Sequence, residues 1–224
     1  MCSHYQTLKD AELLLKKFGV REKPPAGKYN MWPQYQGIFV RRPPEYDAGD
    51  EAVPGREATV GRWGLISAST GPNGLEKDAK LSTFNARDDR VAHAFTFRNA
   101  WRRAQHCIIP ADAIFEPDWR PVYESTSTNS IATRFTRVDD APLGIVWDRY
   151  LDAAGQWQDS YTMLTINADA DPLFRDYHQA GKEKRMIVIL PEGAYGDWLT
   201  ARAEQSQDLL MPFPAGKLVA TPAG

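Results

Sequence analysis

Hydrophobic residues recur along this chain in two different rhythms. Over residues 8–18, Leu8, Glu12 and the Leu13-Leu14-Leu15 run fall into an amphipathic helical pattern, and Gly19 supplies its stop. Most of the remaining apolar residues lie in short or alternating runs separated by turn residues, the signature of β-strands. Such runs predict strands over 37–41, 59–66, 106–109, 113–116, 119–124, 131–136, 143–147, 160–166 and 185–190. Residues 95–104 suit a short helix. Asp171-Pro172 fits a capping residue followed by a first-turn proline and predicts a helix to about 177, and Pro191 predicts another to about 202. The Pro- and Gly-rich stretches 21–34, 43–54 and 67–74 read as loops, and 211–224 as a surface tail.

Many short strands, few helices, no strand–helix–strand alternation and no internal repeat imply an α+β fold. It would consist mainly of an antiparallel, barrel-like curled β-sheet with a few peripheral helices, in a single domain over 1–224. The 224 residues, 42% of them hydrophobic, are enough to bury a sizeable core. Two cysteines cannot make a disulfide framework, and neither a signal peptide nor a membrane-length apolar run is present, so the expected compartment is the reducing cytoplasm. A formal net charge of −2 argues against coating nucleic acid through bulk charge. Distribution matters more: from Asn85 to Arg103, five arginines (Arg87, Arg90, Arg98, Arg102, Arg103) stand against two aspartates, with Trp101 among them. Arginine beside an aromatic ring suits phosphates and unstacked bases, although a solvated helix face has the same composition.

Candidate chemistry begins at Met1-Cys2. Once the methionine is removed, Cys2 carries a free amine beside its thiol, groups that titrate near pH ~8 and ~8.5 in short peptides. An aldehyde meeting this pair would form a Schiff base with the amine, and the sulfur could then close a five-membered ring. Glu116 ends an apolar run, where partial desolvation would raise its pKa and suit it to proton transfer. His178 sits at a junction between elements, where a general acid or base could act, and Asn85 lies in an irregular segment where its amide could orient a substrate. Each has a plainer reading as a surface or turn residue. Cys107 lies between His106 and Ile108-Ile109 and reads as core packing. The four histidines and two cysteines lack metal-ligand spacing, and no Walker or GxGxxG pattern occurs, so neither a metal nor a nucleotide cofactor is expected.

Taken in register, Met1-Cys2, Tyr29-Asn30-Met31-Trp32-Pro33, Arg62-Trp63-Gly64-Leu65-Ile66, Asn85-Ala86-Arg87, Cys107 to Asp112 leading to Phe115-Glu116, and His178 before Lys184-Arg185-Met186 resemble the SOS response-associated peptidase family. The resemblance runs from Cys2 to about Leu190. It implies a covalent thiazolidine between the mature N-terminal Cys2 and an abasic site in single-stranded DNA, as part of the response to DNA damage. By position, Cys2 would be the nucleophile, Asn85 would place the sugar or the terminus, Glu116 would shuttle protons, and His178 would assist proton transfer or reversal. Arg87 would clamp a phosphate, Trp63, Trp101 and Pro33 would flank the strand, and Arg185 would touch the backbone. The implied partner is abasic single-stranded DNA, with the chain acting as a monomer without cofactor or membrane. Removal of Met1, autocatalytic or by an aminopeptidase, accounts for the peptidase label.

Several positions depart from the family pattern. Ser3-His4 stands where Gly-Arg is common, Asp88-Asp89 where a glutamate is more usual, Pro117 where an aromatic follows the glutamate, and residues 179–184 are inserted after the histidine. Two other functions fit the same residues: a reversible reader of single-stranded or modified DNA, and a thiol peptidase with an N-terminal nucleophile.

Overall fold

The computed structural model describes residues 2–25, 27–120, 130–138, 143–151 and 155–223, and their fold is α+β, with several mainly antiparallel sheets and few helices. Instead of one curled sheet, the described residues form three. The first runs in the order β13 (Leu218–Pro222), β8 (Ile131–Arg137), β7 (Ala111–Asp118), β1 (His4–Thr7) and β2 (Asn30–Met31). In the second, β10 (Trp157–Tyr161), β4 (Glu57–Trp63), β3 (Gln36–Arg41), β6 (His106–Ile109) and β9 (Leu143–Leu151) pair in a closed ring. The third sheet is β12 (Arg185–Ile187), β11 (Met163–Asn167) and β5 (Asn85–Arg87). Among the described residues two pairings are parallel, β10 with β4 and β11 with β5.

Helix α1 (Ala11–Phe18) starts three residues later than its apolar pattern because Asp10 caps it, accepting from the backbone of Glu12 and Leu13. Gly19 ends it at φ 66°, a left-handed conformation that glycine adopts without steric cost. Leu14 and Phe18 seal the buried face of α1, while the Leu8 backbone donates to Pro110 O at 3.0 Å instead of entering the helix. Gly64 sits at φ 129°, outside the range a side chain tolerates, and its carbonyl accepts from the Arg62 guanidinium at 2.5 Å. That turn explains why arginine, tryptophan and glycine stand together at the end of β4.

The core is continuous and includes Tyr5, Phe39, Trp63, Tyr161, Phe174 and Trp198, and Cys107 packs into it as expected. Trp63 and Trp101, assigned to the DNA face in the sequence, belong to this core as well. Trp63 is wholly buried, its indole donates to Phe84 O at 2.9 Å and its ring meets Tyr5 edge-on. Trp101, in α2 (Arg98–Arg102), is 5% exposed and faces His106. Neither presents a free ring to a strand.

Other expectations shift in detail. The strand at 160–166 is divided between β10 and β11, and that at 185–190 stops at Ile187. The helix at 191–202 shortens to α3 (Tyr195–Thr200) after a 3-10 turn. Segment 211–224, expected as a surface tail, contains β13, paired residue for residue with β8. The strand expected over 119–124 lies outside the described residues from 121 onward. No helix among the described residues is long and apolar enough to cross a membrane.

Candidate active site around Cys2

Four sequence-predicted residues come together where the first sheet meets the third. Cys2 leads directly into β1, whose pairing with β7 sets His4 opposite Phe115 and so brings Glu116 to the start of the chain. Asn85 opens β5, and its amide nitrogen donates to Cys2 O at 2.7 Å. His178 arrives from the other side. Asp171 caps the preceding turn as its sequence foretells, accepting from the backbone of Leu173 and Phe174, but only a 3-10 turn (Phe174–Asp176) forms. The chain then extends at Tyr177 and enters the left-handed region at His178, φ 68°. Such a backbone costs on the order of 1–3 kcal/mol in a non-glycine residue and persists only where its surroundings enforce it. Here His178 N donates to Pro117 O at 3.1 Å, and its Nε2, which must carry the proton, donates to Arg185 O at 2.7 Å. These bonds hold the imidazole 3.6 Å from the Glu116 carboxylate.

Burial sets the protonation of the group. Glu116 is 1% exposed, and loss of solvent lifts its carboxyl to about 7, so that near neutral pH both of its forms are populated. Burial likewise drives His178 down to about 4, leaving a neutral imidazole. The Cys2 thiol is pushed up to about 12, first by burial and then by the neighbouring Glu116, and rests as a thiol donating to His4 O at 3.2 Å. A neutral thiol beside a carboxyl that exchanges its proton near pH 7 suits a reaction in which protons are moved between steps. The buried Asn85 Oδ1 has no hydrogen-bond partner among the described residues and is an acceptor available to an incoming donor.

The two arginines assigned to DNA are held in an ionic network. Arg87 binds Asp89 through Nε and Nη2 at 2.9 and 2.7 Å, and Glu183 through Nη1 at 2.6 Å. Arg185 is 5% exposed and engages Glu183 at 2.9 Å, Asp88 at 2.5 Å and Thr165 O. Arg185 is therefore a buried strut, not a surface contact, whereas Arg87 remains partly exposed. Glu183 lies in the segment 179–184 that departs from the family pattern, so that insertion ties β5 to β12. Pro33 is half-buried in the turn after β2.

Sequence reasoning missed one feature beside these residues. His4 lies flat between Trp32 and Phe115, with ring centres 4.2 and 4.0 Å away and planes within 15°. Trp32 is 46% exposed and turns one face of this stack outward. Alternation along β1 and the placement of Trp32 next to Pro33 were the available signals, but strand pairing alone sets the three rings in line. No group of three or more His, Cys, Asp or Glu among the described residues is placed to hold a metal ion.

Fold and site together define a mixed α+β protein in which a thiol, an amide, a carboxyl and an imidazole converge from four separate segments. The chain belongs to the SOS response associated peptidase (SRAP) family, whose sequence profile matches residues 1–223. A crystal structure of a protein from Bordetella bronchiseptica is 57% identical over the full length of both chains, with a TM-score of 0.88. A protein from Bacteroides thetaiotaomicron shares the fold at 20% identity and a TM-score of 0.75, covering 99% of this chain and 91% of its own. A phage-related protein from Bordetella bronchiseptica does so at 14% and 0.65, covering 99% and 94%. No curated protein matches.

Proposed function

We propose that this chain captures abasic sites in single-stranded DNA as a covalent adduct through Cys2, once Met1 has been removed. Membership of a family named for the SOS response supports DNA as the partner. The observation that carries the chemistry is the convergence on Cys2 of the Asn85 amide and the buried Glu116–His178 pair. In the reaction, the amine of Cys2 adds to the aldehyde of the ring-opened sugar, and loss of water gives an imine. The thiol then adds across the C=N bond, its sulfur to carbon and its proton to nitrogen, closing the thiazolidine with no further leaving group. Glu116 delivers the proton for water loss, regains the one that the nitrogen releases as the imine forms, and relays the proton of the thiol, which is too basic to ionise alone, to that nitrogen. Asn85 fixes the Cys2 carbonyl, and thereby the angle at which amine and thiol meet the sugar. Arg87 holds the adjoining phosphate by exchanging a carboxylate partner for it, and Trp32 with Pro33 borders the strand in place of Trp63 and Trp101.

The test is an oligonucleotide carrying one abasic site. The processed protein should give a species that survives denaturation and whose mass equals both components less one water, and Cys2→Ala should give none. Intact mass shows whether Met1 has been lost; chains retaining it should fail to react because their Cys2 nitrogen is an amide. Persistence of the adduct in Cys2→Ala overturns the proposal, whereas salt-sensitive binding without any adduct favours a reversible DNA reader.

A further inference from the structure

Away from the residues around Cys2, three surface clefts run into one another. Arg42 and Leu199 line both the first and the second, and Arg56 lines both the second and the third. Arg103, Arg42, Arg56 and Arg21 follow one another along the resulting groove. Arg21 donates to Ala52 O and Arg56 to Phe18 O, carbonyl partners that leave the guanidinium charges in place. Of the nearby acids, Glu22 and Glu57 line the third cleft, Glu57 being committed to Arg41 at 2.6 Å, and Asp47 is a highly exposed carboxylate 3.8 Å from Arg42. The Arg42 guanidinium lies 4.3 Å above the ring centre of Tyr46, which is 41% exposed. In a chain of net charge −2, such a concentration of arginine on one groove calls for an anionic occupant.

We propose that this groove is a second nucleic-acid site, holding the phosphate backbone of a single strand independently of adduct formation. The guanidinium–aromatic pair favours this occupant over an acidic peptide. It offers an unstacked base a flat cationic and aromatic surface, for which a carboxylate-rich chain has no complement. The groove shares no lining residue with the cluster around Cys2, so it adds affinity for intact strand beyond whatever the covalent site engages.

The experiment uses the Cys2→Ala protein, which cannot form the adduct, and fluorescence anisotropy with an unmodified oligodeoxynucleotide of roughly 30 nucleotides. That length exceeds the ~4–16 nucleotides one compact site covers. Arg42→Gln with Arg103→Gln should weaken binding about tenfold and flatten the plot of log affinity against log salt by about 1.4, or ~0.7 for each phosphate no longer neutralised. Arg21→Gln, chosen because its side chain is exposed, should flatten the slope by about 0.7 without changing the melting temperature. Unchanged affinity and slope in both variants overturn the proposal, and displacement of the DNA by polyglutamate as effectively as by a dT oligomer overturns its assignment to nucleic acid. With Cys2 restored, the double variant should still form its adduct with a short abasic oligonucleotide at the parental rate. A slowed adduct would show the groove to be part of the covalent site and defeat the claim of independence.

Discussion

Glu116 and His178 pull stability in opposite directions as pH changes. Glu116 keeps its proton in the folded chain up to about pH 7, against an ordinary value of 4.5, so its contribution is complete below 4.5 and lost as pH rises through 7. His178 titrates near 4 when folded against 6.5, so its contribution is complete above 6.5 and lost as pH falls through 4. Glu116→Gln removes the first dependence alone. Urea unfolding of variant and parent should show the variant gaining on the parent, between pH 4.5 and 7, on the order of 2–3 kcal/mol relative to their difference in acid. A difference independent of pH would mean that the carboxyl is not buried as described. The same substitution should slow adduct formation by about a hundredfold, since the amide cannot exchange a proton. At this scale the sequence was most legible: Cys2, Asn85, Glu116 and His178 carry groups whose chemistry names them, and they converge. It was least legible for Trp63, Trp101 and Arg185, because residue type does not reveal burial. An indole in the core and one on a DNA face look alike until their neighbours are known.

Elements were legible where local chemistry ends them and obscure where a tertiary contact does. Asp10 and Gly19 fix α1 because a cap and a left-handed glycine act within a few residues. Asp171 caps its turn equally well, yet the helix expected there gives way to the kink that delivers His178, because Pro117 O and Arg185 O, distant from that turn's own capping chemistry, bind the residue. The link from Glu183 to Arg87 and Arg185 belongs to the same class, and no periodicity announces it. Its consequence is testable. Glu183 and Asp89 together occupy the Arg87 fork, so a phosphate must displace a carboxylate before it can be clamped. Glu183→Gln should therefore tighten binding of single-stranded DNA about threefold at low salt and steepen its salt dependence by up to ~0.7, the increment of one further phosphate. Arg87→Ala should weaken binding in the same assay. If Glu183→Gln instead weakens binding alongside Arg87→Ala, the glutamate orients the arginine and does not compete for it.

The molecule as a whole is held together by pairings between segments far apart in the chain, which is why its three-sheet arrangement was not foreseen. Parallel contacts such as β11 with β5 join strands 78 residues apart at Met163 and Asn85, and strand pattern alone does not specify partners. The C-terminal segment is the clearest case. Its prolines and polar residues read as a tail, but β13 completes the edge of the first sheet against β8, and β8 in turn flanks the strand that carries Glu116. Phe213, 3% exposed, anchors the approach to β13 beneath the Arg137 guanidinium, which lies 4.5 Å from its ring centre. Arg137 also reaches Leu190 O at 3.2 Å, so one side chain joins β8, the segment after β12 and the segment leading into β13. Phe213→Ala should cost about 3 kcal/mol, a core-sized penalty, because it opens a cavity under that guanidinium. Chemical denaturation of the variant measures this. A penalty below about 0.5 kcal/mol, the range of an exposed substitution, would return the segment to the role of a surface tail. At the larger value, amide exchange in β7 should accelerate together with that in β8, because the strand bearing Glu116 then depends on the C-terminal edge for its order.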